Sequence, residues 1–482
     1  MPTSRINPTA TAEIETRRST RADALIREDI ENQLRADTRV SNYDVNVIVD
    51  DGVVTLTGDV TSYRAKNAAS GNAWTVPGVV HVINNLSVRY EPVEEIVPSD
   101  VDIAANIESS LSWDPDVDAA DVNVTVDKGS VTLEGTVDSL WKKQMAEDKS
   151  WSQTGVVDVK NKLAVTPTED ISDEAAARNI VESIDRNRNV DIGNIDVEVT
   201  NGVATLTGSV FDVDAWRFAY DAAFYTSGIK SIEDNLSIET ATEELEPETG
   251  ATTSTIPESE TETRTDALIR EDVENELISD SRVSSYDISV AVNDGVVTLT
   301  GEVPSRRAKN AASDNAWNVP GVMDVVNSLS IRHKTAEATV PSDLDITSNV
   351  ENSLSWDPDV DESEINVSVE NGVVSLEGTV DSLWKKHIAE EIAWNHLGVV
   401  DVISKLAVAS PEDITDQAVA QNIIDSIDRN VNVDVNDVDV EVHDGEAVLN
   451  GVVSNMRAWR AAYDAALYTS GVIRVKDNLS IV

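Results

Sequence analysis

Residues 45–58 read VNVIVDDGVVTLTG. Val45, Val47 and Val49 recur at every second position, which predicts a half-buried strand, although Ile48 blurs its polar face. Asp51-Gly52 predicts a two-residue hairpin turn, because glycine accepts positive φ without a steric penalty. Val54 and Leu56 alternate in the returning strand, and Gly58 marks a bulge or a close backbone approach. Upstream, RADALIREDIENQLRAD (21–37) places Leu25, Ile26, Ile30 and Leu34 at helical spacing, with charges on the other face. Downstream, TSYRAKNAASGNAW (61–74) predicts a second helix whose small inner residues let it lie close to a sheet. Pro77-Gly78 stops it. Val80, Val82, Leu86 and Val88 then alternate as a third strand. After a helical crossover, that strand pairs in parallel through a right-handed connection. The predicted fold class is α+β: tandem repeats of a small α-β-β-α-β unit, two helices packed on a three-stranded mixed sheet.

The hairpin recurs along the chain. Gly-x-x-x-Leu-x-Gly appears at Gly52–Gly58, Gly129–Gly135, Gly202–Gly208, Gly295–Gly301, Gly372–Gly378 and Gly445–Gly451. An approximate Gly-Val-Val-x-Val-x-Asn-x-Leu-x-Val follows each, from Gly78, Gly155, Gly228, Gly321, Gly398 and Gly471. Gly52, Gly129, Gly202, Gly295, Gly372 and Gly445 are read as structural turn glycines. A longer period overlies the short one. ADALIRED at 22–29 returns as TDALIRED at 265–272, and SLSWDPDVD at 110–118 returns at 353–361, both offset by 243 residues. Such self-similarity marks a repeat architecture. The expected organisation is a tail (1–19), repeats at 20–90, 99–166 and 171–238, a linker (239–263), and repeats at 264–333, 342–409 and 414–482. The segment 239–263 is rich in Glu, Thr, Ser and Pro and nearly free of large apolar residues, which predicts a solvated linker. Three repeats on either side predict two halves, each packing as one body.

The paired glycine motifs, six times over, resemble the BON domain, named for osmotically inducible and nodulation proteins of bacteria. The resemblance covers all six repeats. It implies a generally non-catalytic protein associated with osmotic stress, the cell envelope and phospholipid binding. A cytosolic relative joining a BON domain to a LysM domain binds potassium, although no LysM-like segment is present here.

The chain carries 88 acidic and 37 basic residues, a formal net charge of −51, and only 14 of the basic residues are lysine. Acid-rich, lysine-poor composition on a valine-rich folded chain fits a salt-accumulating cytoplasm. It opposes nucleic-acid binding, which needs clustered Lys and Arg, and docking on anionic lipid. There are no cysteines, which excludes disulfides, thiolate metal sites and catalytic thiols. The start, MPTSRINPTATAEIETRRSTRAD, has no apolar signal core. No stretch approaches the ~20 apolar residues of a transmembrane segment. A cytoplasmic location is expected.

Chemistry-bearing residues form no complete motif. His81, His333, His387, His396 and His443 have Asp324, Tyr90, Gln144, Gln153 and Thr200 at the duplicate positions, which predicts scattered surface histidines. Asp114, Asp116 and Asp118, and Asp357, Asp359 and Asp361, have D-x-D-x-D spacing. They lack the Gly at position six and Glu at position twelve of a calcium loop, and Asp185, Asn187 and Asn189 fail likewise. Glu134 and Asp138, with Glu377 and Asp381, lie near Trp141 and Trp384, but other repeats replace the glutamate with Thr57, Thr207, Thr300 or Asn450. No glycine turn has the ending of a phosphate loop. Catalytic, cofactor and metal residues are therefore expected to be none. Trp141, Trp151, Trp216 and their duplicates fall in second helices, where burial is their ordinary use. Trp113 and Trp356, each ending a first helix beside Asp-Pro, are candidate membrane or partner contacts. The expected function is a non-enzymatic binding or scaffold protein linked to osmotic or envelope stress, its partner an unidentified protein or envelope component. Potassium or cation sensing and peripheral phospholipid binding are the alternatives.

Overall fold

The computed structural model describes residues 21–40, 45–89, 98–117, 119–168, 171–186, 192–210, 213–238, 265–283, 288–332, 341–409 and 414–481. The expected tail, the 239–263 linker, Asp118, Asn187, Asn189 and His333 lie outside these residues.

The first repeat runs helix Asp23–Ala36, strands Val45–Asp50 and Val53–Val60, helix Tyr63–Trp74 and strand His81–Val88. The hairpin pairs antiparallel with Val47 opposite Leu56, and the third strand runs parallel to the second, with Val82 opposite Val54. The strand after the turn is therefore central, flanked by one antiparallel and one parallel neighbour. The same order holds in all six repeats. In the second, the last strand is split into Asp158–Asn161 and Ala164–Val165, both parallel to Ser130–Val137.

Alternation puts Val54 and Leu56 on the covered face, where they are fully buried beneath Ile26, Ile30 and Leu34 of the first helix. Leu25 departs from the expected inner face and is 50% exposed. Positions 26, 30 and 34 suffice to fill a helix stripe, and a fourth residue at 25 lies outside it. Ala65, Ala69 and Ala73 line the buried side of the second helix. Without bulky side chains its backbone approaches the sheet closely. The helices cover one sheet face. On the other, Ile48 and Ile403 stay about half exposed, opposite Thr55 and Ser375 on the central strands.

The repeats group differently from the expected halves. One compact unit holds residues 1–168, 304–306 and 331–482, containing the first, second, fifth and sixth repeats. The other holds residues 169–303 and 307–330, containing the third and fourth. Contact between repeats, rather than their order along the chain, sets the grouping. Each repeat is small and leaves apolar and polar edges that a neighbour completes.

Candidate functional site: the turn clamp and the repeat interfaces

Two constellations recur, and both are built from polar groups. The first is a clamp inside each repeat. Asp23, at the start of the first helix, accepts hydrogen bonds from both turn amides, Asp51 N at 3.0 Å and Gly52 N at 2.9 Å. Asp100 holds Lys128 and Gly129 at 2.8 and 2.9 Å. Asp173, Asp266, Asp343 and Asp416 repeat the arrangement. The turn exposes two amides because both of its residues have positive φ, as in Lys128 (51°) and Gly129 (75°). The hydrogen bonds hold the carboxyls of Asp100 and Asp416 below the ordinary aspartate range. The signal is present in the sequence: each clamp aspartate precedes its turn glycine by 29 residues, as Asp23 does Gly52.

The second constellation lies between repeats. In the larger unit the first and sixth repeats meet. An isolated antiparallel bridge joins Asp37 to Thr469, and Thr38 donates both its amide and its hydroxyl to Tyr468 O at 3.0 Å. Arg39 is held by a two-pronged pair to Asp37 and lies 3.2 Å over the Tyr468 ring centroid. Asn72 donates at 2.9 Å to Asp37 Oδ2, the oxygen that also accepts from Arg39 Nη2. Asp464 sits beside Arg39 and Arg460. Burial pushes its carboxyl up to about 6 against the pull of those arginines, and burial pushes the Tyr468 phenol up to about 12.

In the smaller unit the third and fourth repeats meet through the duplicate residues with the roles exchanged. Thr226 bridges Asp280, and Ser281 donates amide and hydroxyl to Tyr225 O at 2.8 and 2.7 Å. Arg282, paired to Asp280, lies 3.4 Å over Tyr225, and Asn315 completes Asp280 at 2.9 Å. Burial pushes Asp221 up to about 6, opposed by Arg217 and Arg282. One position differs in chemistry. Gln33 accepts from Ser426 Oγ at 3.1 Å, whereas its duplicate Glu276 takes Arg186 at 2.6 Å and Ser183 at 3.2 Å.

The second and fifth repeats, also in the larger unit, meet through residues that are duplicates of one another. Trp113 stacks on Trp356 with centroids 5.4 Å apart and planes at 10°. Thr154 N donates to Trp356 O at 2.8 Å, and Leu397 N, the duplicate of Thr154, donates to Trp113 O at 2.7 Å. The two tryptophans read from sequence as membrane or partner contacts thus contact each other. His396, expected on the surface, is only 4% exposed and lies 5.8 Å from the Trp113 ring. Its Nδ1 donates to Ile392 O at 2.8 Å and its Nε2 accepts from Ser353 Oγ at 3.0 Å. Burial, reinforced by nearby Lys149, pushes its pKa down to about 4. Sequence missed this because its duplicate, Gln153, is an uncharged polar residue buried at the same place.

The remaining candidates are taken up by partners within or between repeats. Asp114 pairs with Lys149 at 2.9 Å. Asp357 and Asp359 both pair with Arg64 of the first repeat, which ties the first repeat to the fifth. Glu134 and Glu377 pair with Lys162 and Lys405 at 3.0 and 2.6 Å, and Asp138 and Asp381 with Lys142 and Lys385, both at 2.7 Å. Trp151 stacks on Tyr63 of the first repeat at 4.3 Å, and Trp384 enters the core of the sixth. Trp216 and Trp459 donate to Asp234 and Asp477. Among the described residues, no group of three or more His, Cys, Asp or Glu is arranged to hold a metal ion.

The family model of the BON domain matches residues 22–90, 99–167, 172–240, 265–333, 342–410 and 415–482. The chain belongs to the BON-domain family. Osmotically-inducible protein Y of Escherichia coli (strain K12) is 35% identical over 144 residues, 29% of this chain and 71% of that protein. Outer membrane lipoprotein DolP of Haemophilus influenzae is 33% identical over 132 residues, 27% of this chain and 68% of that protein. A solved structure of CdsD, a structural protein of the type III secretion system of Chlamydia trachomatis, is similar at 17% identity over 45% of this chain and 93% of that one, with a TM-score of 0.13. The asparagine of the second BON motif ties the second helix to the third strand. Asn84 donates to Lys66 O and Ser70 Oγ on the helix and accepts from Leu86 N on the strand. Asn161 and Asn327 do the same for their own BON domains.

Proposed function

We propose that this protein is a non-enzymatic multi-BON scaffold that binds a protein or envelope component under osmotic or envelope stress. The observation that carries the reading is where the perturbed polar groups lie. Displaced acidities are the usual mark of catalytic groups, yet Asp221, Asp464, Asp359 and His396 all lie where one repeat packs on another. Each sits in a contact between repeats: Asp359 pairs with Arg64, Asp221 and Asp464 lie beside Arg282 and Arg39, and His396 lies beside Trp113. What remains for a partner is a repeated surface, the uncovered sheet faces with small polar and β-branched residues such as Thr55 and Ile48. Relatives named for osmotic induction and for the outer membrane support the stress and envelope association.

Potassium sensing through turn carbonyls has less support. Each turn-glycine carbonyl already accepts an amide, as Gly52 O does from Val80 N at 3.0 Å and Gly129 O from Val157 N at 2.9 Å. Phospholipid binding faces the −51 charge. No helix among the described residues is long and apolar enough to cross a membrane. The acidic, lysine-poor composition supports a cytoplasmic site of action, and the outer-membrane name of one relative supports the envelope. Equilibrium binding in one buffer series to potassium, to sodium, and to phosphatidylglycerol or phosphatidylcholine vesicles, beside cross-linking in intact cells, tests the reading. A protein cross-linked at stoichiometric yield, with no saturable ion or vesicle binding, is the expected result. Saturable potassium or vesicle binding without a protein partner would replace it.

A further inference from the structure

Three interfaces between repeats each join one half of the duplication to the other: first with sixth, second with fifth, third with fourth. The first–sixth and third–fourth interfaces exchange duplicate residues, and the second–fifth interface joins duplicates to each other. A contact in which residue i meets j while j meets i is the signature of a two-fold homodimer.

From this we propose that each three-repeat half is a self-complementary binding partner, so that it pairs with the other half and also with a copy of itself. The side chains on both sides of the contact are the same in the two halves. Arg39 and Arg282 are both arginine, and the tyrosines beneath them, Tyr468 and Tyr225, are both tyrosine. The anchoring Asp37 and Asp280, the supporting Asn72 and Asn315, and the bridging Thr469 and Thr226 are likewise identical. Either half therefore supplies both the arginine side and the tyrosine side. Two copies of residues 1–250 would set Arg39 over Tyr225 of the other copy, and Trp113 on Trp113. The mismatch at Gln33 and Glu276 is permissive. In such a pair Gln33 would face Ser183 and Arg186, the same residue types as the Ser426 and Arg429 it now meets. In a pair of the second halves, Glu276 would face Ser426 and Arg429, keeping its ion pair. Nothing in the first–sixth and third–fourth contacts selects against like halves, and at the second–fifth contact, where Thr154 and Leu397 differ, both donate the same backbone amide.

The test uses the full chain with a protease site at residue 250 and a tag at the N-terminus. After cleavage in molar KCl, the two pieces are expected to stay together at the 52.1 kDa of the intact chain. Separation into pieces of about half that mass would overturn the proposal. Cleaved tagged protein is then mixed with cleaved untagged protein, partly loosened in denaturant, and returned to buffer. Capture of the tag is expected to retain untagged residues 1–250 as well as 251–482. Retention of 251–482 alone would overturn self-complementarity while leaving half-to-half recognition standing. Arg39→Ala with Arg282→Ala removes two cation–π contacts and is expected to weaken retention about tenfold or more. Unchanged retention would remove the arginine–tyrosine contact from the argument. The wild-type capture stands as the deciding result even where that variant unfolds.

Discussion

Trp113 and Trp356 are the same residue of two duplicated segments, and their rings stack at 5.4 Å and 10°. Aromatic pairs in such geometry are worth about 0.5–1.5 kcal/mol beyond the area they bury. A double-mutant cycle on Trp113→Ala and Trp356→Ala, read from denaturant unfolding, should return a coupling of about 1 kcal/mol. Additive single effects would mean that the stack holds nothing together.

His396 makes stability depend on pH. Its folded pKa of about 4 lies below the ordinary 6.5, so the unfolded chain binds the proton more readily. The contribution of the neutral ring is complete above pH 6.5 and is lost as pH falls toward 4, by about 3 kcal/mol in all. Asp221 and Asp464 act in the opposite sense, since their folded carboxyls are raised to about 6 and bind protons before the unfolded chain does. Subtracting the curve of His396→Gln, which installs the residue of the duplicate, isolates the histidine. The difference between parent and variant should change steeply between pH 6.5 and 4. A flat difference contradicts the buried neutral ring.

The turn clamp predicts a local effect. Asp100→Ala leaves the Lys128 and Gly129 amides without their acceptor, and their hydrogen exchange should accelerate while the Asn201 and Gly202 amides of the third repeat keep their rates. Because hydrogen bonding lowers the Asp100 carboxyl, the clamp is present above the ordinary aspartate pKa and fails only as pH drops through the lowered one. Gly129→Val should cost on the order of 1 kcal/mol or more, for φ is +75° there and a Cβ would meet Gly155 O at 2.5 Å. Unchanged melting of that variant would refute a structural glycine.

The charge of −51 predicts that stability rises steeply with salt, because folding brings like charges together. The Debye length falls from about 30 Å at 0.01 M to about 3 Å at 1 M. Melts in matched KCl and NaCl should superimpose if screening alone acts. A melting temperature that barely moves with salt would contradict this account, and extra stabilisation in KCl would revive ion sensing.

The repeat itself is legible in the sequence. Period-two valines, Asp51-Gly52 and the alanine-lined second helix each act over a few residues, and local rules reach that far. The interfaces are not legible in the same way. Thr38 and Tyr468 lie 430 residues apart, and no local pattern marks Arg39 as the residue that covers a distant ring. Trp113 stands out in the sequence beside its Asp-Pro, but nothing there names its own duplicate as the ring it meets. Linkage along the chain suggests packing by halves, whereas complementary surfaces govern the grouping.

Repeats pair across the duplication. The chain has no cysteine, so Ser112→Cys with Ser355→Cys introduces the only two labelling sites, each exposed beside its tryptophan. Pulsed dipolar spectroscopy between spin labels at these positions, in molar KCl, should give one short and narrow distance distribution. A long or broad distribution would contradict the account.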